Sequence, residues 1–166
     1  MIPADITKRY SGGASNSDPA LSLGGVLSSV EIPGGQGNLF ANIGTAERGS
    51  GSVKYRCFYF VNEHPAETLA NAVAYIASQT PSPGTDIALG LDPAGVGGGA
   101  ASIPNEDTAP AGVAFSAPST AGTGLSVGNL APGASIAVWL RRTTNAGTAP
   151  LAADPFTITI TGKPQN

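Results

Sequence analysis

Charge is scarce in this sequence: 11% of its 166 residues are Asp, Glu, Lys or Arg, against about 25% in an average soluble domain. Basic residues are the scarcer, eight against eleven acidic for a net charge of −3. A chain without clustered Lys and Arg cannot neutralise a phosphate backbone, so nucleic acid is excluded as a partner. Cys57 is the only cysteine and His64 the only histidine. No internal disulfide can form, and no His/Cys spacing completes a four-ligand zinc or iron site. No run approaches the roughly 20 apolar residues of a membrane span. The opening Met1-Ile2-Pro3-Ala4-Asp5 lacks the basic and apolar regions of a secretory leader. Synthesis and folding in a cytoplasm, without a membrane partner, are therefore expected.

Small residues and turn formers are abundant, with 23 glycines and 14 prolines. A hydrophobic fraction of 41% with little net charge argues for a folded chain rather than a disordered one. The length suits one domain, residues 1–166, with a sizeable core. A weakly charged surface does little to keep copies apart, which points to a homo-oligomer or a subunit packed against neighbours.

Period-two alternation marks the strands. Val53 to Val61 sets Val53, Tyr55, Cys57, Tyr59 and Val61 on one face and Lys54, Arg56, Phe58 and Phe60 on the other. Ser135 to Arg142 sets Ile136, Val138 and Leu140 opposite Ala137, Trp139 and Arg141, as a central strand would. Phe156, Ile158 and Ile160 alternate with Thr157, Thr159 and Thr161, and Ile87, Leu89 and Leu91 repeat the pattern. Weaker strands are expected at Ile6 to Tyr10, Val26 to Ile32 and Leu125 to Leu130. Thr68 to Ser78 fits a helix through Leu69, Val73 and Ile76, or a strand by alternation from Leu69 to Ala77. Strand is preferred, paired with the preceding strand through the Asn62 to Glu67 turn. Turn clusters such as Pro33-Gly34-Gly35 and Pro81-Ser82-Pro83-Gly84 separate these segments. The expected fold is all-β, an antiparallel β-sandwich of Ig-like or jelly-roll topology with little or no helix. Long loops near 34–51 and 95–124 are expected to be contact surfaces.

Candidate chemistry is thin. His64 precedes Pro65 in a loop, with no nucleophile set beside it. Gly95-Val96-Gly97-Gly98-Gly99-Ala100 lacks the Lys-Ser/Thr and the helix of a phosphate-binding loop, and is read as a flexible loop. Asp86, Asp92, Glu106 and Asp107 are loop carboxylates without the ligand ladder of a calcium site. Trp139, the only tryptophan, is read as a core plug rather than a sugar platform, and Cys57 as a buried thiol. The doublets Lys8-Arg9 and Arg141-Arg142 are read as solvated strand ends. No catalytic, cofactor-binding or metal-binding residue is assigned, and no enzymatic activity is expected.

The segments Ser11-Gly12-Gly13-Ala14-Ser15-Asn16-Ser17-Asp18-Pro19, Ser22-Leu23-Gly24-Gly25 and Ser28-Ser29-Val30-Glu31-Ile32 resemble the opening of a group of small structural proteins of tailed bacteriophages. Asn38-Leu39-Phe40, the Val53 to Tyr59 strand, Asn105-Glu106-Asp107-Thr108-Ala109-Pro110 and Leu130-Ala131-Pro132-Gly133 leading into Val138 to Thr143 continue the resemblance in the same order. It implies a virion component that contacts the major capsid protein or other virion proteins, a capsid decoration or cement protein in preference to a tail or baseplate part. A trimer would suit a cement protein. A host-glycan-binding module and a cell-wall hydrolase are the competing readings.

Overall fold

A computed structural model describes residues 1–35, 37–147 and 154–166. Among the described residues seven strands form, β1 (Ile6–Tyr10), β2 (Ser52–Asn62), β3 (Thr68–Ser78), β4 (Thr85–Leu91), β5 (Leu125–Leu130), β6 (Ser135–Thr144) and β7 (Thr157–Gln165). The one α-helix among the described residues, α1 (Thr45–Ser50), lies within the loop expected at 34–51. A four-stranded sheet orders β1-β2-β6-β4 and a three-stranded sheet orders β5-β3-β7. Every pairing is antiparallel, giving the all-β sandwich that the alternation predicts. β6 is central, as expected.

From β2 onward, consecutive strands lie in opposite sheets. The expected β2–β3 hairpin is therefore wrong: β2 is already bonded to β1 and β6, and β3 pairs with β5 and β7. Asn62, fully buried, marks the crossing. Its side-chain amide donates to the Glu67 and Leu130 carbonyls, both at 2.8 Å, and its oxygen accepts from His64 N. These bonds satisfy backbone groups that the change of sheet would otherwise leave unpaired.

The space between the sheets is filled by Phe58 and Phe60 of β2, Ile136, Val138 and Leu140 of β6, and Ile87 and Leu89 of β4. Facing them are Leu69, Ala72, Ala74 and Ile76 of β3, Leu130 and Ile158. The other face of the four-stranded sheet is also buried. Cys57, Tyr59, Val61, Ala137 and Trp139 pack there under Ala100, Ile103, Leu23, Leu27, Val113 and Phe115. This second core explains the unbroken apolar run from Cys57 to Val61, since a strand buried on both faces has no polar side. The 95–124 loop is not free along its whole length, because Ala100, Ile103, Val113 and Phe115 pack onto its own sheet while Val96 stays exposed. Nor is the glycine-rich stretch free of structure, because Gly97 N donates to Ser135 O and Gly98 N to Gly95 O.

Gly90 sets how closely this cover lies. A methyl group there would stand 2.5 Å from Val113 Cγ1 and 2.6 Å from the Ala114 carbonyl oxygen. Gly90→Ala is expected to lift the 113–116 segment and to cost about 2 kcal/mol, read by urea unfolding. A change within experimental error would show that the segment yields freely.

Two phases in the sequence mislead. In β3 the register shifts between Ala70 and Val73, where Asn71 takes φ 50°. The extra residue changes the alternation, so Leu69 points inward but Ala72, Ala74 and Ile76 follow it instead of Val73 and Tyr75. The strand expected at Val26 to Ile32 does not form. Only the bridges Arg9↔Glu31 and Gly25↔Ala100 fall in or beside it. The Ser28 hydroxyl donates to Asn16 O and accepts from Val30 N, a local turn that competes with a regular ladder. Three backbone bonds from 28–32 still reach β1, Ser28 N to Tyr10 O, Tyr10 N to Val30 O and Ile32 N to Lys8 O.

Candidate functional site

At one end of the inner face, loop 34–51 is tied down by two arginines. α1 begins after Gly44 and stops at Gly51, whose φ of 76° turns the chain directly into β2. This places Glu47 where it accepts from the Ser52 hydroxyl at 2.5 Å and from Arg142 at 3.2 Å, with Lys54 at 3.8 Å. Glu106 pairs with Lys54 at 2.7 Å and with Arg56. Phe40 lies between the guanidinium groups of Arg142 and Arg56, 4.7 and 5.8 Å from its ring centre. Arg142 also donates to Ala41 O and Arg56 to Leu39 O. Burial alone would raise the pKa of both carboxyls. For Glu47 the Ser52 bond and the Arg142 and Lys54 charges outweigh it, for Glu106 the Lys54 and Arg56 contacts do, and both are held below the ordinary carboxylate value. Arg142 is pushed down by desolvation, against the pull of Glu47.

The solvated reading of the basic doublets is therefore corrected for their arginines, while Lys8 is exposed. Arg142 is buried in this cluster, Arg141 stacks 5.4 Å from the Phe115 ring centre, and Arg9 pairs with Glu63 at 2.8 Å. Among the described residues Lys8 and Arg141 make no ion pair, and Arg141 has the Phe115 ring instead.

The residues considered for chemistry are not brought together. His64 Nδ1 accepts from Ala66 N and Glu67 N, and Nε2 lies 3.2 Å from Glu67, so the ring organises its own turn. Asp92 is buried, accepting from Trp139 Nε1 at 2.9 Å and from Ala94 N at 3.0 Å. Glu106 faces its cations, while Asp86 and Asp107 are exposed. Among the described residues no three His, Cys, Asp or Glu side chains gather as a metal site would need. Trp139 is fully buried and offers no stacking surface to a sugar. Cys57 is fully buried as well, and burial pushes its thiol far above the range in which a thiolate forms.

Two surfaces remain. The first is the outer face of the three-stranded sheet. Val73 of β3 stands between Ser126 of β5 and Thr161 of β7, and Tyr75 opposite Thr159. These side chains are uncharged and half-buried or exposed.

The second surface is the open side of the sandwich between β1 and β7. A cleft of about 450 Å³ is walled by Ile32, Leu39, Phe40, Phe58 and Phe156, and one of about 330 Å³ by Ile2, Ile6, Phe60, Leu69 and Ile160. Lys8 and Ile158 line both, so the two clefts form one groove. Lys8 points inward because it lies opposite Phe60 in the ladder, and its ammonium sits 5.9 Å from the Phe60 ring centre. Although Lys8 as a whole is exposed, these apolar walls desolvate the ammonium and push its pKa down. The alternation Ile6, Lys8, Tyr10 already places a charge on the inner side of β1, a signal that the doublet reading passes over.

No helix among the described residues is long and apolar enough to cross a membrane. Comparison with protein-family models, with curated proteins and with solved structures finds no match.

Proposed function

We propose that the chain is a non-enzymatic structural component of a tailed-phage virion, a decoration protein seated on the lattice of the major capsid protein. The observation that supports this reading is the unequal covering of the two sheets. The four-stranded sheet is packed on one face by the other sheet and on its outer face by its own loops, whereas the outer face of the three-stranded sheet offers Val73, Tyr75, Ser126, Thr159 and Thr161 to the surroundings. On this face the five side chains are uncharged, and Lys163 near the end of β7 is the one charge in line with them, so a neighbour can lie against it with little charge to desolvate. The segments that resemble phage structural proteins point the same way. Among the described residues the half-buried His64, occupied by its own turn, the inaccessible Cys57 and the internally paired carboxylates offer no nucleophile or acid–base pair, which favours a structural role over a hydrolase.

Immunogold electron microscopy of purified particles, with an antibody raised against the recombinant chain, tests the proposal. Dense labelling over the head is expected. Labelling confined to the tail would move the protein to the tail or baseplate, and unlabelled particles would overturn the virion reading.

A further inference from the structure

The sheet edges are covered unequally. The outer edge of β1 receives the three backbone bonds from 28–32, and β4 exchanges two with Ser116, Leu89 N to Ser116 O and Ser116 N to Leu89 O. β5 is short, and its pairing with β3 is interrupted on both sides of Ala72, with Gly128 at φ 89°. Irregularities of this kind blunt an edge against further pairing. β7 runs for nine residues, and among the described residues no backbone bond reaches its outer edge; its pairing with β3 also shifts register twice, and Lys163 and Pro164 blunt its C-terminal end, which leaves Thr157 to Gly162 as the open stretch. That edge borders the groove shared by the two clefts. An extended segment could bond to β7 there and drop alternate side chains onto Ile158, Ile160, Ile6 and Phe60.

Charge decides what kind of segment fits. Lys8 lies where the clefts join and has no carboxylate partner among the described residues. Asp154, the only carboxylate lining either cleft among the described residues, is engaged by Ser82 N at 3.0 Å and by the Thr85 hydroxyl. A second copy paired edge to edge would bring another Lys8 and no free carboxylate into the same apolar space, which disfavours self-association here. A lipid or acyl carboxylate would satisfy Lys8 but leave the β7 backbone row unpaired.

We propose that the β1/β7 groove is a strand-addition site that takes an extended segment of a partner protein, apolar at alternate positions and carrying one inward-facing carboxylate that pairs with Lys8. Main-chain bonds to β7 would supply affinity, and the pockets and Lys8 would supply selectivity. The groove would accept such a segment whether or not the partner belongs to a virion.

The test is fluorescence anisotropy with a labelled, end-blocked nine-residue peptide alternating Thr and Val, in which one inward Val is replaced by Glu. The wild-type protein should bind it saturably. The same peptide with Lys in place of Glu should bind about tenfold more weakly, as expected for loss of a charge-assisted contact. Lys8→Glu should reverse that order, and Lys8→Gln should abolish it if the Glu variant does not fold. N-methylation of the edge-facing peptide amides should also weaken binding to wild type, and amide exchange should slow between Ile158 and Gly162 on binding. Absence of saturable binding by the folded wild-type protein would overturn the proposal. So would a Glu-over-Lys preference that survives in Lys8→Gln, or binding that leaves exchange in β7 unchanged. Self-association of Lys8→Val in a protein that binds no peptide would show that Lys8 only guards the edge.

Discussion

Trp139→Ala is expected to lower the unfolding free energy by about 4 kcal/mol, enough to leave a marginal domain partly unfolded at ambient temperature. Trp139 is the largest of the fully buried side chains and the centre of the second core, between the four-stranded sheet and its covering loops. Its removal opens a cavity that the loops cannot fill without losing two anchors. Tyr59, whose hydroxyl donates to Gly25 O at 2.6 Å and accepts from Ala100 N at 2.9 Å, is one. Gly24, where a methyl group would stand 2.2 Å from the Ala101 carbonyl oxygen and 3.0 Å from the indole, is the other. The substitution also removes the indole donor from Asp92, leaving a buried carboxylate with the Ala94 amide as its remaining partner. Trp139→Phe separates the two effects, because it retains most of the ring and loses the donor. About 2 kcal/mol is expected for it, the cost of removing one of the two hydrogen bonds to a buried carboxylate. Urea unfolding of the three proteins measures both values. A loss below about 1 kcal/mol for Trp139→Ala would mean that the loop cover contributes little to the fold.

Glu47→Ala should cost about 3 kcal/mol, because it leaves the buried Arg142 guanidinium without its counter-charge. The side chains are 12% and 8% exposed, so solvent compensates little. Stability should also become less sensitive to acid. In the wild type Glu47 and Glu106 have folded pKa values below the ordinary 4.5, so the unfolded chain binds protons first as pH falls. Their contribution is complete above that ordinary value and is lost as pH drops through the depressed folded values. Unfolding free energies measured from neutral pH into the acid range should therefore fall more steeply for the wild type than for Glu47→Ala. Parallel curves would contradict a role for Glu47 in acid sensitivity.

Much of the sandwich was legible because strands with one or two apolar faces leave a period-two record. β2, β4, β6 and β7 fall where their alternation predicts, and Ile136, Val138 and Leu140 face the core as expected. Pairing was not legible, since adjacency in sequence implied a β2–β3 hairpin while every link after β2 crosses between sheets. Nor was the bulge at Asn71, which reverses the phase of β3 without any glycine or proline to mark it. The end cluster left almost no trace. Phe40 and Glu47 sit among glycines and small polar residues, and their partners Arg56 and Arg142 are 16 and 95 positions away, respectively. Burial of the loops over Trp139 was hidden for a similar reason. Leu23, Leu27, Ala100, Ile103 and Phe115 are scattered through irregular chain and become a surface only when folded.

The resulting picture is a sandwich that protects one sheet completely and leaves the other available to neighbours. Quantitative mass spectrometry of gradient-purified phage particles tests its functional claim most directly. The proposal predicts this chain at a fixed, reproducible ratio to the major capsid protein, retained through repeated washing. Absence of the chain, or a trace amount that varies between preparations and washes away, would contradict it.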